Sequence, residues 1–239
     1  MAIIPEMELG YLKRKFRKDL KEEVTIRFFT KTSSLLTIPG RDCPSCPQIM
    51  QLLQELTDLS PKLHLKTYDF YNQSHKNDKY QVERIPAITF GNNRSGRLKY
   101  YGMPSEHQFS PIISTIVSLS RGINSLGMST KKLLQQLKVP VTIHIFVTRS
   151  CVYCPEMVRL CYAMALQSEY ITANIVSIDE FPDIGQRYSV RGVPKTIMGN
   201  ISPLTRLPEI EFVGPVSESE FVSKILQVSD GKSSEDTSQ

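Results

Sequence analysis

The stretch VTIHIFVTRSCVYCP, residues 141–155, decides the fold of this chain. Residues 141–147 are mostly β-branched or aromatic, which predicts a strand that is buried on both faces. Cys151 and Cys154 follow this strand, and the helical pattern after them extends to about Gln167. The first turn of a helix carries unpaired N–H groups and the positive end of the helix dipole, and both lower the pKa of a thiol. The stretch therefore predicts a reactive cysteine pair between a strand and a helix.

The same pattern occurs twice, and the two copies are separated by a constant 108 positions. In both copies, a proline lies 43 residues after the first cysteine of a C-x-x-C pair. The matched positions are Cys43 and Cys151, Cys46 and Cys154, Ile85 and Val193, and Pro86 and Pro194. The offset is 117 upstream and 112 downstream, which places about nine extra residues between Thr30 and Cys43 and four near 201–208. Blocks that keep their offsets indicate two copies of one structural unit.

Each copy predicts an α/β unit, and the two units make up nearly the whole chain. We expect one unit at 1–122 with the C-P-S-C site, a second at 123–229 with the C-V-Y-C site, and a disordered tail at 230–239. The predicted strands are 24–29, 63–70, 87–90 and 98–101, then 141–147, 171–178, 195–198 and 209–213. Helices are expected at 8–20, after Cys46, from Ser105, at 130–137, after Cys154 and from Ser217, where Ser217 and Glu220 form a capping box.

The order of the two cysteines in each pair predicts their roles. The first cysteine, Cys43 or Cys151, is expected near the helix N-cap and is assigned as the nucleophile. The second, Cys46 or Cys154, is expected one turn inside the helix and is assigned as the resolving thiol. An X-Pro bond in the cis form beside the reactive thiol fits the shared spacing, so that the backbone of Ile85 or Val193 pairs with an extended substrate.

Two other uses of the cysteine pairs are weaker interpretations. Structural zinc sites usually bring two C-x-x-C pairs close together in sequence, whereas 104 residues separate Cys46 from Cys151 here, so no metal is expected. A structural disulfide within a pair closes too short a loop to restrict the unfolded chain much. Cys161 is interpreted as a buried, inert cysteine, and His144 as a residue of the strand before Cys151 without a catalytic role.

Composition and charge exclude several functional classes. The net charge of +5 is a mild excess for 239 residues, and basic residues cluster between Lys13 and Lys21. Leu9, Leu12 and Phe16 lie between these charges at helical spacing, which indicates an amphipathic helix with a solvated basic face rather than a nucleic-acid surface. No stretch predicts a membrane span, and residues 1–10 lack the apolar core of a secretory signal.

The motifs CPSCP with Ile85-Pro86 and CVYCP with Val193-Pro194 resemble two thioredoxin/glutaredoxin units. Their combination over residues 8–228 resembles the glutaredoxin-like protein disulfide oxidoreductases of thermophilic archaea and bacteria. The resemblance implies two tandem thioredoxin-like folds with central mixed sheets flanked by helices. It also implies thiol–disulfide exchange on protein disulfides, chiefly reduction, with oxidation and isomerisation as further activities. No cofactor is expected on the chain, because reducing equivalents come from a flavin (FAD) thioredoxin reductase that uses NAD(P)H. A cytoplasmic location is expected.

The sequence departs from the thioredoxin pattern at two places. The insertion before Cys43 changes the rim of the first site. Thioredoxins also carry a buried acid six residues before the nucleophile, and those positions are Thr37 and Ile145 here. A carboxylate that assists proton transfer then comes from elsewhere, with Asp69, Asp179 and Glu211 as weak candidates at strand ends.

Two alternative functions remain beside the enzyme. One is an electron relay between a flavin reductase and a peroxiredoxin, since the N-terminal part of certain peroxide-reductase flavoproteins has the same double unit. That part keeps one active pair, whereas both pairs are present here and no flavin-binding domain follows, which disfavours the relay. The other is a chaperone-like binder without enzymatic activity, which would not depend on the four cysteines.

Overall fold

The computed structural model describes residues 2–31, 42–73, 76, 79–91, 96–199 and 209–231. The expected insertion after Lys31, the loop at 201–208 and the tail from residue 232 lie outside this described part. The contacts divide the chain into two compact units. One comprises Met1–Pro104 with Ile116–Ile123, and the other comprises Ser105–Thr115 with Asn124–Gln239.

The first unit contains a four-stranded mixed sheet in the order β2-β1-β3-β4. Strand β1 is parallel to β2 and antiparallel to β3, which is itself antiparallel to β4. The elements are α1 (Glu6–Asp19), β1 (Val24–Thr30), α2 (Cys46–Thr57), β2 (Leu63–Asp69), β3 (Ala87–Phe90) and β4 (Leu98–Tyr101). Helix α1 is amphipathic as predicted, because Leu12 and Phe16 are buried while Lys13, Arg14, Arg17 and Lys18 are exposed.

The second unit repeats this arrangement with strand order β6-β5-β7-β8. Strand β5 is parallel to β6 and antiparallel to β7, and β7 is antiparallel to β8. Helices α5 and α7 pack against this sheet. The elements are α4 (Met128–Leu134), β5 (Val141–Val147), α5 (Cys154–Gln167), β6 (Ile171–Ser177), α6 (Pro182–Arg187), β7 (Lys195–Gly199), β8 (Ile210–Val213) and α7 (Glu218–Ser229).

The segment between the two repeats differs most from the prediction. The last helix of the first copy does not begin at Ser105, because Glu106 has φ +51° and residues Glu106–Gln108 form a single 3-10 turn. The α-helix proper, α3, spans Phe109–Arg121. The predicted division between residues 122 and 123 assigned 105–115 to the first unit, whereas the contacts group this segment with the second. The repeat boundary therefore describes the duplicated sequence, and it stays a prediction.

Of the capping box predicted at Ser217 and Glu220, the serine contact forms and the glutamate contact does not. The Ser217 hydroxyl accepts a hydrogen bond from the backbone N–H of Glu220 at 3.2 Å, which satisfies one unpaired donor of α7. The Glu220 carboxylate instead pairs with the Lys224 ammonium group at 3.4 Å, one turn further along the helix. Helix α7 is therefore capped by the serine and carries an i,i+4 ion pair on its surface.

Candidate redox-active sites

The second cysteine pair lies in the loop between β5 and α5 and is a disulfide bond. The Cα atoms of Cys151 and Cys154 are 5.5 Å apart. Cys151 is 8% exposed and Cys154 is fully buried, whereas the two intervening side chains, Val152 and Tyr153, are 61% and 64% exposed. Of the two cysteines, Cys151 is therefore the more exposed.

A backbone donor is directed at the sulfur of Cys151. The N–H of Cys154, the first residue of α5, donates a hydrogen bond to Cys151 Sγ at 3.1 Å. This N–H is one of the unpaired donors at a helix N-terminus, and it lies where a thiolate on Cys151 forms after reduction. Hydrogen bonds to the charged form of a group favour that form, so the arrangement stabilises a Cys151 thiolate.

The first pair is placed in the same way, but the N–H of Cys46 donates to the backbone carbonyl of Cys43 at 3.2 Å and not to its sulfur. Cys43 and Cys46 are bonded as a disulfide with Cα atoms 5.3 Å apart, and α2 begins at Cys46. Cys43 is half-buried and Cys46 is 4% exposed. The helix N-cap is Ser45 here and Tyr153 in the second unit, so the second cysteine is the first helical residue. The first cysteine therefore lies near the N-cap, as expected, whereas the second is the first helical residue and not one turn inside the helix, because the turn between the cysteines is not yet helix.

Both X-Pro steps lie next to the strand that leads to the cysteines. The Ile85–Pro86 and Val193–Pro194 bonds are cis, as expected. Strands β3 and β7 begin directly after these prolines, and their first residues pair with Phe29 of β1 and Phe146 of β5. The prolines therefore lie at the end of the sheet from which the cysteine loops start.

The backbone of Val193 is open to a further partner. Pro194 is buried and its carbonyl accepts the N–H of Gly214 at 2.8 Å, as the Pro86 carbonyl accepts the N–H of Gly102 at 3.1 Å. Within the described ranges, the backbone N–H and C=O of Val193 make no hydrogen bond, and its side chain is half-buried. An extended peptide that binds as an added strand forms its hydrogen bonds with such unpaired backbone groups.

The three candidate carboxylates are all engaged elsewhere. Asp69 accepts the backbone N–H groups of Tyr71 and Asn72 at 2.9 and 2.8 Å. Asp179 accepts the backbone N–H of Arg149 at 2.7 Å, and Glu211 pairs with Lys195 at 3.0 Å. Because the partners of these carboxylates are backbone N–H groups and a lysine, none of the three is assigned to proton transfer.

Cys161 lies in the core, and His144 lies in the strand before the site and is half-buried. Cys161 is a free, fully buried thiol in α5, and burial raises the pKa of this thiol far above its usual range. His144 lies in β5 beside Asn174 of β6, and their side-chain nitrogen atoms are 3.1 Å apart. Burial thus favours the protonated thiol of Cys161, and its position agrees with the interpretation of Cys161 as a buried cysteine.

One residue near the second site was missed by the sequence analysis. The Gln108 side chain is fully buried, and its Nε2 donates to the backbone carbonyl of Thr148 at 3.0 Å, three residues before Cys151. Forty residues separate the two positions, and no periodicity or motif links them. Gln108 follows Ser105, Glu106 and His107 in the sequence, so the local pattern does not mark it as a buried residue.

Comparison with known proteins identifies the architecture. Residues 141–227 match the family model for the thioredoxin domain. These residues have a thioredoxin fold. The first unit has the same strand order and the same placement of its cysteine pair, so the chain contains two tandem thioredoxin-like folds. The predicted α/β fold class, with central mixed sheets flanked by helices, is confirmed.

Proteins with the same double fold are known. A protein disulfide oxidoreductase from Aeropyrum pernix K1 superimposes with a TM-score of 0.82 at 25% identity, over 95% of this chain and 94% of that chain. The NTD_N/C domain of the alkylhydroperoxide reductase AhpF from Enterococcus faecalis gives a TM-score of 0.78 at 21% identity, over 92% and 99%. The resemblance inferred from the paired thioredoxin motifs is thus confirmed for the fold.

A curated relative covers only part of this sequence. The alkyl hydroperoxide reductase protein AhpF of Staphylococcus aureus is 25% identical over 132 residues, which are 54% of this chain. The match takes in 23% of that relative, so the chain spans much less than the length of the curated protein it matches. Among the described helices, none is long and apolar enough to cross a membrane.

Proposed function

We propose that this chain is a dithiol–disulfide oxidoreductase that acts on protein disulfides through Cys43–Cys46 and Cys151–Cys154. The observation that carries the proposal is the geometry of the second thioredoxin domain. There, a nearly buried disulfide lies at a helix N-terminus and a backbone N–H donates to the sulfur of Cys151. Such a donor favours the thiolate, which is the form that attacks disulfides.

The reaction runs through a mixed disulfide. In the reduced domain, the Cys151 thiolate attacks one sulfur of a substrate disulfide, forms an S–S bond with it and expels the other substrate sulfur as a thiolate. The Cys154 thiol loses its proton to the medium and its thiolate attacks Cys151, which releases the second substrate thiolate. The substrate gains two electrons and the domain ends as the Cys151–Cys154 disulfide. The reverse sequence oxidises a substrate dithiol.

The assignment of the two roles follows exposure. Cys151 and Cys43 are the more exposed members of their pairs, which suits the attacking thiol, and the buried Cys154 and Cys46 suit the resolving thiol. Ile85 with Pro86 and Val193 with Pro194 are proposed to bind the substrate backbone. The unpaired N–H and C=O of Val193 support this role, because they are available to an extended peptide.

The partners follow from the chemistry and from the relatives. The chain cycles only if a reductant returns its disulfides to dithiols, and the proposed reductant is a flavin thioredoxin reductase that uses NAD(P)H. A peroxiredoxin is a proposed acceptor, since a relative is part of an alkyl hydroperoxide reductase. The proposal includes a cytoplasmic location, where NAD(P)H is available.

An electron relay between the reductase and the peroxiredoxin is the second candidate function. It is favoured by the match to the staphylococcal AhpF over half of this chain, and it uses the same cysteines. The two functions differ in the acceptor. A relay reduces a peroxiredoxin much faster than an unrelated disulfide such as that of insulin, whereas a general oxidoreductase reduces both.

Trapping of mixed disulfides tests the proposal. In the Cys46→Ser and Cys154→Ser variants, the first thiol attacks a substrate and no resolving thiol releases it, so substrates accumulate as covalent adducts that a reductant cleaves. The matched control is the variant in which all four motif cysteines are serine. Proteins that still bind to this control variant do so without thiol–disulfide exchange. Such binding would support the chaperone-like function instead.

A further inference from the structure

The loop between β5 and Cys151 is held by side chains from two distant segments. On one side, Gln108 Nε2 donates to the carbonyl oxygen of Thr148 at 3.0 Å. On the other side, Asp179 Oδ2 accepts the backbone N–H of Arg149 at 2.7 Å and lies 3.7 Å from the Arg149 Nε. Consecutive residues of the loop are therefore fixed through their backbone, in a way that does not depend on the side chains of the loop.

Gln108 and Asp179 lie in different environments, and each environment favours the hydrogen bond that the residue makes to the loop. Gln108 is fully buried, and among the described residues its Oε1 has no hydrogen-bond partner, so its bond to Thr148 is the one that satisfies the side chain. An amide buried in this way costs free energy unless it is hydrogen-bonded, which keeps the Nε2 on the Thr148 carbonyl. Asp179 is partly exposed, and its charge strengthens the hydrogen bond from Arg149.

The held loop ends at the sulfur that the chemistry uses. The Thr148 carbonyl also accepts the N–H of Cys151 at 3.4 Å, so the carbonyl that Gln108 fixes is joined to the backbone of Cys151. Cys151 Sγ in turn depends on its position for the 3.1 Å hydrogen bond from the Cys154 N–H. A displacement of a few tenths of an ångström lengthens this bond and weakens it.

We infer that Gln108 and Asp179 are positioning residues for Cys151, which hold its sulfur on the N–H donor of Cys154. The inference rests on the proposed role of Cys151 as the nucleophile. The two residues act through the loop backbone and do not touch the sulfur. Their loss raises the pKa of Cys151 and lowers its reactivity at a pH near neutrality.

These positioning residues are not part of the duplicated pattern. At the repeat offsets of 112 and 108, Glu220 takes the place of Gln108 and Tyr71 takes the place of Asp179. Glu220 pairs with Lys224 on its own helix, and Tyr71 donates its N–H to Asp69 of its own turn. Gln108 and Asp179 therefore serve the Cys151 site specifically.

The test measures the Cys151 thiolate directly, without any disulfide substrate. In the Cys43→Ser/Cys46→Ser background, Gln108→Met removes the donor at nearly constant side-chain length. We expect the pKa of Cys151, followed by thiolate absorbance, to rise by half a unit or more. This corresponds to a fall of about threefold in the rate of alkylation at a pH below the pKa. Insulin reduction is measured in parallel.

A matched pair of variants tests the other side of the loop. Asp179→Asn keeps an oxygen that accepts the Arg149 N–H, whereas Asp179→Ala removes it. We expect the alanine variant to show the shift in the pKa of Cys151 and the asparagine variant to stay close to wild type. Because Asp179 is partly exposed, both variants are expected to fold, and they test the inference if Gln108→Met does not fold.

The outcomes are distinct. An unchanged pKa of Cys151 in folded Gln108→Met and Asp179→Ala overturns the inference, and a shift in one of them alone overturns the role of the other residue. Equal shifts in the asparagine and alanine variants overturn the role of the Asp179 hydrogen bond. The same substitutions in the Cys151→Ser/Cys154→Ser background leave the pKa of Cys43 unchanged. Absent insulin reduction with a normal Cys151 pKa in the parent background counts against the proposed function and not against the positioning.

Discussion

Cys151 and Cys161 lie in the same unit but in opposite chemical environments. Cys151 precedes a helix, is 8% exposed and accepts a hydrogen bond on its sulfur. Cys161 lies in the middle of α5, is fully buried, and its pKa is raised by burial. We expect the two thiols to differ in reactivity, because the Cys151 sulfur accepts a hydrogen bond at a helix start whereas Cys161 is enclosed by the core.

We predict that in the reduced protein Cys43 and Cys151 react with an alkylating reagent below the pH range of a free thiol, whose pKa is about 8.5. The helix N-terminus stabilises their thiolates, whereas the thiol of Cys161 stays protonated. Labelling as a function of pH, followed by peptide mapping, measures each residue separately. Labelling of Cys161 as fast as that of Cys151 in the folded protein would show that the assignment is incorrect.

Lys99 gives a second residue-scale prediction. Its side chain is 2% exposed in β4, and burial lowers its pKa to about 8, while the nearby charge of Glu83 opposes the shift. Above pH 8 the folded state binds fewer protons than the unfolded state, whose lysine titrates near 10.5, so stability rises with pH in this window.

Lys99→Met is therefore expected to lack this rise. The difference in unfolding free energy between wild type and variant should change by roughly 2 kcal/mol from pH 7 to pH 10, in favour of the wild type. Denaturant unfolding at each pH measures it. Parallel stability curves for the two proteins would mean that Lys99 does not titrate with a lowered pKa.

At the scale of elements, the sequence predicted one helix start well and another one poorly. The capping pattern at Ser217 placed the start of α7 within one residue. The equivalent serine at 105 did not start an α-helix, because Glu106 adopts a positive φ and the chain makes a 3-10 turn first. Local pattern predicts a cap, but it does not predict a backbone reversal that tertiary contacts impose.

The strands were predicted to within one residue at every end. Their apolar runs are long and buried, so the pattern is dictated by the core, as in β5, where Ile143, Ile145 and Phe146 are fully buried. The cysteine pairs and X-Pro steps were found because their spacing is repeated. Gln108 was not found, since a hydrogen bond between residues 108 and 148 depends on the fold and leaves no spacing in the sequence.

The cap of α7 allows a direct measurement. Ser217→Ala removes the acceptor for the Glu220 N–H, and we expect a loss of about 1 kcal/mol in unfolding free energy. Ser223→Ala is the matched control, because this serine is exposed within the same helix and alanine is the better helix former there. An equal effect of the two substitutions would contradict a capping role for Ser217.

The contact between α2 and the N-terminal segment predicts a response to acid. Although burial opposes it, hydrogen bonds from the backbone N–H groups of Ile4 and Ile3 and from Gln51 hold the pKa of Glu55 below its usual range. The folded state thus stabilises the charged carboxylate. This stability is present above the pKa of the unfolded state and is lost as the pH falls through the lower folded-state pKa.

Glu55→Gln is therefore expected to be less stable than wild type at neutral pH. This difference in unfolding free energy should become smaller as the pH falls. The glutamine does not titrate, so the two unfolding free energies converge as the wild-type carboxyl is protonated, between about pH 5 and pH 3. Urea unfolding over this range measures the convergence. A deficit that stays constant with pH would show that the carboxylate charge does not contribute.

At the scale of the whole molecule, the two units share an aromatic contact but differ in the polar residues at matched positions. An aromatic pair joins the strand that precedes the cysteine loop to the segment before the X-Pro step in both units, Phe29 with Tyr80 and Phe146 with Tyr188. At matched positions Arg27 is replaced by His144, and Lys99 by Glu211. The two units therefore share a scaffold but differ in the charged residues that their strands carry.

We predict that the second site performs most of the reduction of protein disulfides. Val152 and Tyr153 expose apolar surface beside Cys151, whereas Pro44 and Ser45 occupy these positions in the first site. The Cys43→Ser/Cys46→Ser variant should keep more than half of the insulin-reducing activity, and the Cys151→Ser/Cys154→Ser variant should lose more than half. Equal losses, or the reverse order, would show that the two sites are equivalent or that the first one dominates.

Because Cys161 is buried, its rate of labelling can be used to measure how often the core of the second unit opens. A thiol packed inside a helix meets a reagent only during an opening of the surrounding core, so its labelling rate reports the frequency of such openings. Cys161 lies on the same helix as Cys154, two turns from the disulfide. A comparison of its labelling in the oxidised and the dithiol protein therefore measures how much each turnover loosens or tightens the domain that carries it out.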